Sequence, residues 1–130
     1  MAQFIMEDLV NKAGLSDKIE VSSAACNSEK CEVMHQGVAA KLRMENIHFG
    51  EHHLSCPFEK KDYATSDLII CMDDDNIEKM KEICDGDPDR KIIKMAAEDI
   101  PWEKRGMNKM FDKIKSGCEN LLEEVKDSVK

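Results

Sequence analysis

Ser66-Asp67-Leu68-Ile69-Ile70-Cys71-Met72-Asp73-Asp74-Asp75-Asn76 carries the two signals from which the fold of this chain is read. Leu68 to Met72 is a continuous apolar run bounded by Ser66 and Asp73, the pattern of a strand buried on both faces. The aspartates that follow suit the start of a helix, where a carboxylate accepts from free N–H groups and meets the positive end of the dipole. A buried strand running straight into a capped helix is half of a βα unit, the unit from which parallel sheets are built.

Working outward, the helix after Asp73 places Ile77, Met80 and Cys84 on one side and stops at Gly86-Asp87-Pro88. Lys91 to Met95 reads as a last short strand. Beyond it, Met107, Met110, Phe111, Ile114, Cys118, Leu121, Leu122, Val125 and Val129 recur at helical spacing. Upstream, Glu59 to Tyr63 is a short helical turn, and Gln36 to Glu45 a helix with Val38, Ala39 and Leu42 on one side. Lys18 to Ala25, β-branched at Ile19 and Val21, is predicted as a strand. Met1 to Lys12 is predicted as a helix with Gly14 as its C-terminal stop. Strands alternating with helices predict an α/β fold, a single domain over residues 1–130 around a parallel sheet. No linker, repeat or low-complexity stretch divides it.

Composition narrows the function classes. The 130 residues are 42% hydrophobic and carry a formal charge of -8. That charge disfavours nucleic acid and anionic membrane as partners. The apolar run at Leu68–Met72 is far too short to span a bilayer. Glu7 and Asp8, with no basic segment ahead of them, argue against a signal peptide, so the cytoplasm is the expected location. Six cysteines at irregular spacing then read as reduced thiols, with any oxidation of Cys26 with Cys31 a local event. Of the nine methionines, Met80, Met95, Met107 and Met110 fall on apolar faces as core gap-fillers. An adaptable peptide-binding groove is the other reading of them.

Taken in order, Ala13-Gly14-Leu15-Ser16-Asp17-Lys18-Ile19, Val21-Ser22-Ser23-Ala24-Ala25, His35-Gln36-Gly37, Lys61-Asp62-Tyr63, Ser66 to Asp73, Asn76, Gly86-Asp87-Pro88 and Pro101-Trp102 carry a family resemblance. Across nearly all 130 residues the chain resembles the low-molecular-weight protein tyrosine phosphatases. The resemblance implies a three-layer parallel-sheet domain, no cofactor, and phosphotyrosine proteins as substrates of an active member. It also implies that Met1 stands just after the family's catalytic loop. The first, central strand and the Cys-x5-Arg phosphate loop are thus expected to be missing.

That chemistry needs a cysteine thiolate at the base of a loop of inward-pointing N–H groups, an arginine on the phosphoryl oxygens, and an acid to protonate the leaving phenolate. Cys84-Asp85-Gly86-Asp87-Pro88-Asp89-Arg90 matches the loop literally but not physically. Its aspartates raise a thiol pKa and repel phosphate, and the end of a helix has the wrong sign for a thiolate. The family's general acid is an aspartate directly before proline, a place held here by Ile100. Asp99, one residue earlier, is the remaining general-acid candidate. Trp102 and His53 are the substrate-binding candidates that the resemblance supplies. Glu103 replaces the second gripping aromatic, Leu54 and Cys56 stand where arginines are usual, and Ser22 stands where an aspartate is usual.

Cys26, Cys31 and His35, with His52, His53 and Cys56 nearby in sequence, offer N and S ligands of the kind zinc takes. Their spacing matches no established zinc pattern, and no metal is expected. Three readings stand: a catalytically inactive member acting by binding a protein partner, an active phosphatase represented by an N-terminally truncated chain, and an arsenate reductase-like protein. An incomplete sheet further predicts self-association through the free edge of Leu68-Ile69-Ile70.

Overall fold

The computed structural model describes residues 1–25, 32–34, 36–49, 54–96, 99–100 and 106–126. Helix α1 spans Ala2–Lys12 and buries Phe4, Ile5, Met6 and Val10, the stripe that helical periodicity requires. Gly14 ends it with φ of +72°, a conformation that costs glycine nothing. The Leu15 N–H reaches back to the Val10 carbonyl at 3.0 Å, closing the helix end.

Past Gly14 the chain departs from expectation. The N–H groups of Lys18 and Ile19 both donate to the Leu15 carbonyl at 2.9 Å, which bends the segment into a turn. Residues 19–24 then run without regular structure, and only Ala25 makes a ladder contact, a parallel bridge to Pro57. The strand predicted over Lys18–Ala25 is therefore not formed. Ile19 and Val21 use their branched side chains to pack on the core instead of filling a ladder position.

Strand β1, Glu32–Val33, pairs antiparallel with β2, Leu54–Ser55, in the register Glu32 to Ser55 and Val33 to Leu54. Neither strand has a sequence signal, since two residues carry no period. Between them lies α2, Gln36–Met44, which buries Val38 and Leu42 as the spacing predicts. Lys41 is buried on the same helix; its ammonium lies 4.9 Å from the Phe111 ring centre and 2.9 Å from Glu45 Oε1.

The βα unit forms as read. After α3, Lys60–Thr65, comes β3, Ile69–Cys71, and then α4, Asp74–Ile83. The Asp73 carboxylate caps α4 by accepting the Asn76 N–H at 2.8 Å. Strand β4, Ile92–Lys94, pairs parallel with β3, Ile69 opposite Ile92. The chain is thus an α/β domain with a small parallel sheet. Among the described residues β3 has β4 as its one strand partner. Ile69 and Cys71 are buried, Ile70 is half-buried, and Leu68 is 42% exposed, so the run is less fully enclosed than a strand covered on both faces.

Among the described residues two apolar cores result. The first is built by α1, α2 and the last helix α5, Met107–Lys126, around Ile5, Leu42, Phe111, Ile114 and Cys118. Gly117 lets α5 close on the end of β4: a Cβ there would stand 2.6 Å from Met95 Cγ and 3.3 Å from the Met95 carbonyl oxygen. The second core gathers Tyr63, Ile69, Cys71, Met80 and Cys84 beneath α3 and α4. Asp87 fastens this half. Its Oδ1 accepts the Tyr63 hydroxyl at 2.7 Å and the Lys91 N–H at 2.8 Å, while Oδ2 accepts the Ile92 N–H at 3.1 Å. The Lys91 ammonium in turn donates to the Tyr63 carbonyl at 2.8 Å and lies over that ring.

Candidate functional site

The loop after β4 crosses the end of β3. The Ile100 N–H donates to the Met72 carbonyl at 2.8 Å, and the Ile100 side chain is 4% exposed within the first core. An apolar group at the place before Pro101 is thus turned inward, where a proton donor could not reach a substrate. Asp99 points elsewhere. Its Oδ1 lies 2.6 Å from the Lys94 ammonium, which also reaches the Asp74 carboxylate at 3.3 Å. The hydrogen bond from Lys94 outweighs desolvation and holds Asp99 below the usual carboxylate range. A carboxyl so held is ionised at neutral pH and suits an anchor better than a general acid. This clamp joins β4, the start of α4 and the loop, and the sequence reading did not find it. A lone lysine at the end of β4, with Asp99 five residues on and Asp74 at the start of α4, was its signal.

Trp102 and His53, the substrate-binding candidates, lie outside the described residues, as do Glu103 and His52. So do Cys26, Cys31 and His35, the candidate metal ligands. Among the described residues no group of three His, Cys, Asp or Glu side chains is placed to hold a metal ion.

The described thiols have the wrong surroundings for a nucleophile. Cys84 is 2% exposed at the end of α4, and burial, with Asp87 and Asp85 next to it, pushes its thiol up. Burial drives Cys118 up to about 12. Cys71 is also a buried thiol. Cys56 is disulfide-bonded, which corrects the expectation of reduced thiols throughout.

Near the start of α1, the Ser23 hydroxyl donates to Gln3 Oε1, and Gln3 Nε2 donates to Glu7 at 2.9 Å. Asp8 pairs with Lys12 at 2.8 Å. A concavity of about 330 Å³ lies at the end of α2, lined by Arg43, Asn46, Ile47, His48 and Phe49. There the Arg43 guanidinium lies 5.4 Å from the Phe49 ring centre, and that ring tilts against Phe4 at 5.9 Å. Sequence reading passed over this group, because Arg43 and Phe49 belong to no spaced motif.

The parallel βα pair, with its end crossed by the loop after β4, is the arrangement of an α/β domain with its loops gathered at the end of the sheet. YfkJ from Bacillus subtilis superposes with a TM-score of 0.91 at 27% identity, over 99% of this chain and 87% of that one. SP-PTP, the low molecular weight protein tyrosine phosphatase from Streptococcus pyogenes, gives a TM-score of 0.86 at 25% identity, over 95% and 82% of the two chains. By sequence, the low molecular weight protein-tyrosine-phosphatase YfkJ of Bacillus subtilis (strain 168) is 29% identical over 136 residues, covering 96% of this chain and 86% of the relative. Residues 1–130 match the low molecular weight phosphotyrosine protein phosphatase family, and the chain belongs to it. Among the described residues no helix is long and apolar enough to cross a membrane.

Proposed function

We propose that these 130 residues form a catalytically inactive member of the phosphotyrosine phosphatase family that acts by binding a protein partner in the cytoplasm. The observation that carries this reading is the paired state of Ile100 and Asp99. One is buried in the core at the general-acid place, and the other is held ionised by Lys94. The raised thiols of Cys84 and Cys118 support it, since neither is a thiolate at neutral pH. The charge of -8 favours a protein over nucleic acid or an anionic membrane as partner.

The expected result is background hydrolysis of a generic aryl phosphate by the 130-residue protein. Turnover that vanishes on replacing a single cysteine would overturn the reading. One observation favours a second reading, an active phosphatase whose nucleophile lies outside the given sequence: YfkJ extends beyond the 86% of its length that this chain covers. The intact mass and aryl phosphatase activity of the protein from its native source separate the two. A longer, active form would establish the second.

Self-association through β3 belongs to the same proposal. Its support is the single strand partner of β3 among the described residues and the exposed Leu68 beside it. Light scattering at micromolar concentration is expected to give a mass above 14.8 kDa. A strict monomer would remove this part of the reading and leave the binding role untouched.

A further inference from the structure

A recess of about 290 Å³ lies between α1 and α5, beside the end of α2. Its floor is apolar: Ile5 and Leu9 come from α1, Ile47 from just past α2, and Phe111 from α5. Ile5, Ile47 and Phe111 belong to the first core, so the recess is a notch in that core. Its remaining lining is charged, with Asp8, Lys12, Glu45, Lys115 and Glu119. Apolar walls with a few convergent polar groups mark a small-molecule site, and this volume suits a ligand at the lower end of the usual about 300–1,000 Å³.

With the buried Lys41 beside Glu45, these charges form three pairs, each four residues apart on one helix, the spacing at which lysine and carboxylate side chains meet. Two pairs are closed: Lys12 lies 2.8 Å from Asp8, and Lys41 lies 2.9 Å from Glu45. The third is open. Among the described residues neither the Lys115 nor the Glu119 side chain has an ion-pair or hydrogen-bond partner. One ammonium and one carboxylate, set about 6 Å apart along the axis of α5, thus line the same apolar notch unneutralised.

We propose that this recess binds a free α-amino acid with an apolar side chain. The ligand's carboxylate meets the Lys115 ammonium, its ammonium meets the Glu119 carboxylate, and its side chain enters the notch against Phe111, Ile5 and Leu9. The open pair selects this class over its neighbours. A purely apolar molecule serves neither charge, and a fatty acid or a simple amine serves only one. Within a peptide both head-group charges are consumed by peptide bonds. The bound ligand touches α1, α5 and the end of α2 at once, so occupancy stabilises the first core. The recess shares no residue with the Asp99–Lys94 clamp, so its occupancy is read independently of phosphatase activity.

The test is titration of the 130-residue protein with L-leucine and L-phenylalanine, followed by NMR and by thermal melts. Saturable shifts are expected at the Ile5, Leu9 and Ile47 methyl groups, with a dissociation constant in the millimolar range or tighter. The unfolding midpoint should rise with ligand concentration. Leucinamide lacks the carboxylate and N-acetyl-leucine lacks the ammonium. Each should bind at least about tenfold more weakly than leucine, the loss of one charge-assisted hydrogen bond. Lys115→Gln should erase the preference for leucine over leucinamide, and Glu119→Gln the preference over N-acetyl-leucine. Both side chains are exposed, so the fold is expected to survive; if a variant does not fold, the ligand series on the wild-type protein decides. No saturable shift at millimolar ligand, equal binding of leucine and its two derivatives, or preferences unchanged in both variants would each overturn the proposal.

Discussion

Asp87→Ala is expected to lower the midpoint of thermal unfolding by at least about 5 °C, the largest effect of any polar substitution outside the cores. One carboxylate serves the Tyr63 hydroxyl and the N–H groups of Lys91 and Ile92, so its loss unfastens α3 from the start of β4. Part of the alanine effect is backbone strain, because Asp87 has φ of 63°, which aspartate and asparagine tolerate better than alanine. Asp87→Asn keeps that tolerance and removes the charge. Desolvation pushes this carboxyl up, but the hydrogen bonds from Tyr63, Lys91 and Ile92 outweigh it and leave it below the usual value. A group lowered on folding stabilises the protein above its unfolded value, and that gain is lost as pH falls through the folded one. Melts at neutral and acid pH should therefore converge for wild type and Asp87→Asn at the acid end. A constant gap between them would count against this role. Asp85→Asn is the control: Asp85 also has a positive φ, of 55°, which asparagine tolerates, and the ion pair it would lose, with Lys60, is exposed, so the change should be nearly silent.

Phe111→Ala should cost about 3–5 kcal/mol, a large part of the ~5–15 kcal/mol by which a domain of this size is stable. Phe111 is 2% exposed and lies in the core shared by α1, α2 and α5, so its truncation removes packing contacts from all three helices. The change also strips the buried Lys41 ammonium of the ring beneath it. Phe111→Leu, which keeps most of the volume, should lose much less. Urea unfolding of both variants measures the contrast. Equal losses would mean that the ring's volume is not what matters at this position.

The parts of the fold legible in the sequence are those held by local physics. The apolar run at Leu68–Met72, the Asp73 cap and the stripe of α5 each say in a few residues what they become. Ile19 and Val21 say strand by the same logic, yet the turn at Leu15 and packing on the first core decide otherwise. The β1–β2 pair is too short to have a pattern, and with it the bond at Cys56 went unread. Of the site, the replacement at Ile100 was visible, because a carboxyl is either before Pro101 or it is not. What Asp99 does instead was not visible: its partner Lys94 is fixed by how β4 ends, a tertiary fact. Asp87 was read as a helix stop and proved to be the bolt of the second core.

Ile100 also bears on how this loop could be redesigned. In the family pattern an aspartate stands before the proline, yet here the first core has closed over a hydrocarbon at that place. Changing Ile100 to aspartate would bury a carboxyl in the core that holds Phe4 and Met110, a costly place for an ionised group. An aspartate placed there by design would thus meet a folding cost before it could meet a substrate. A designer of this loop has to repack the core first and place the carboxyl second.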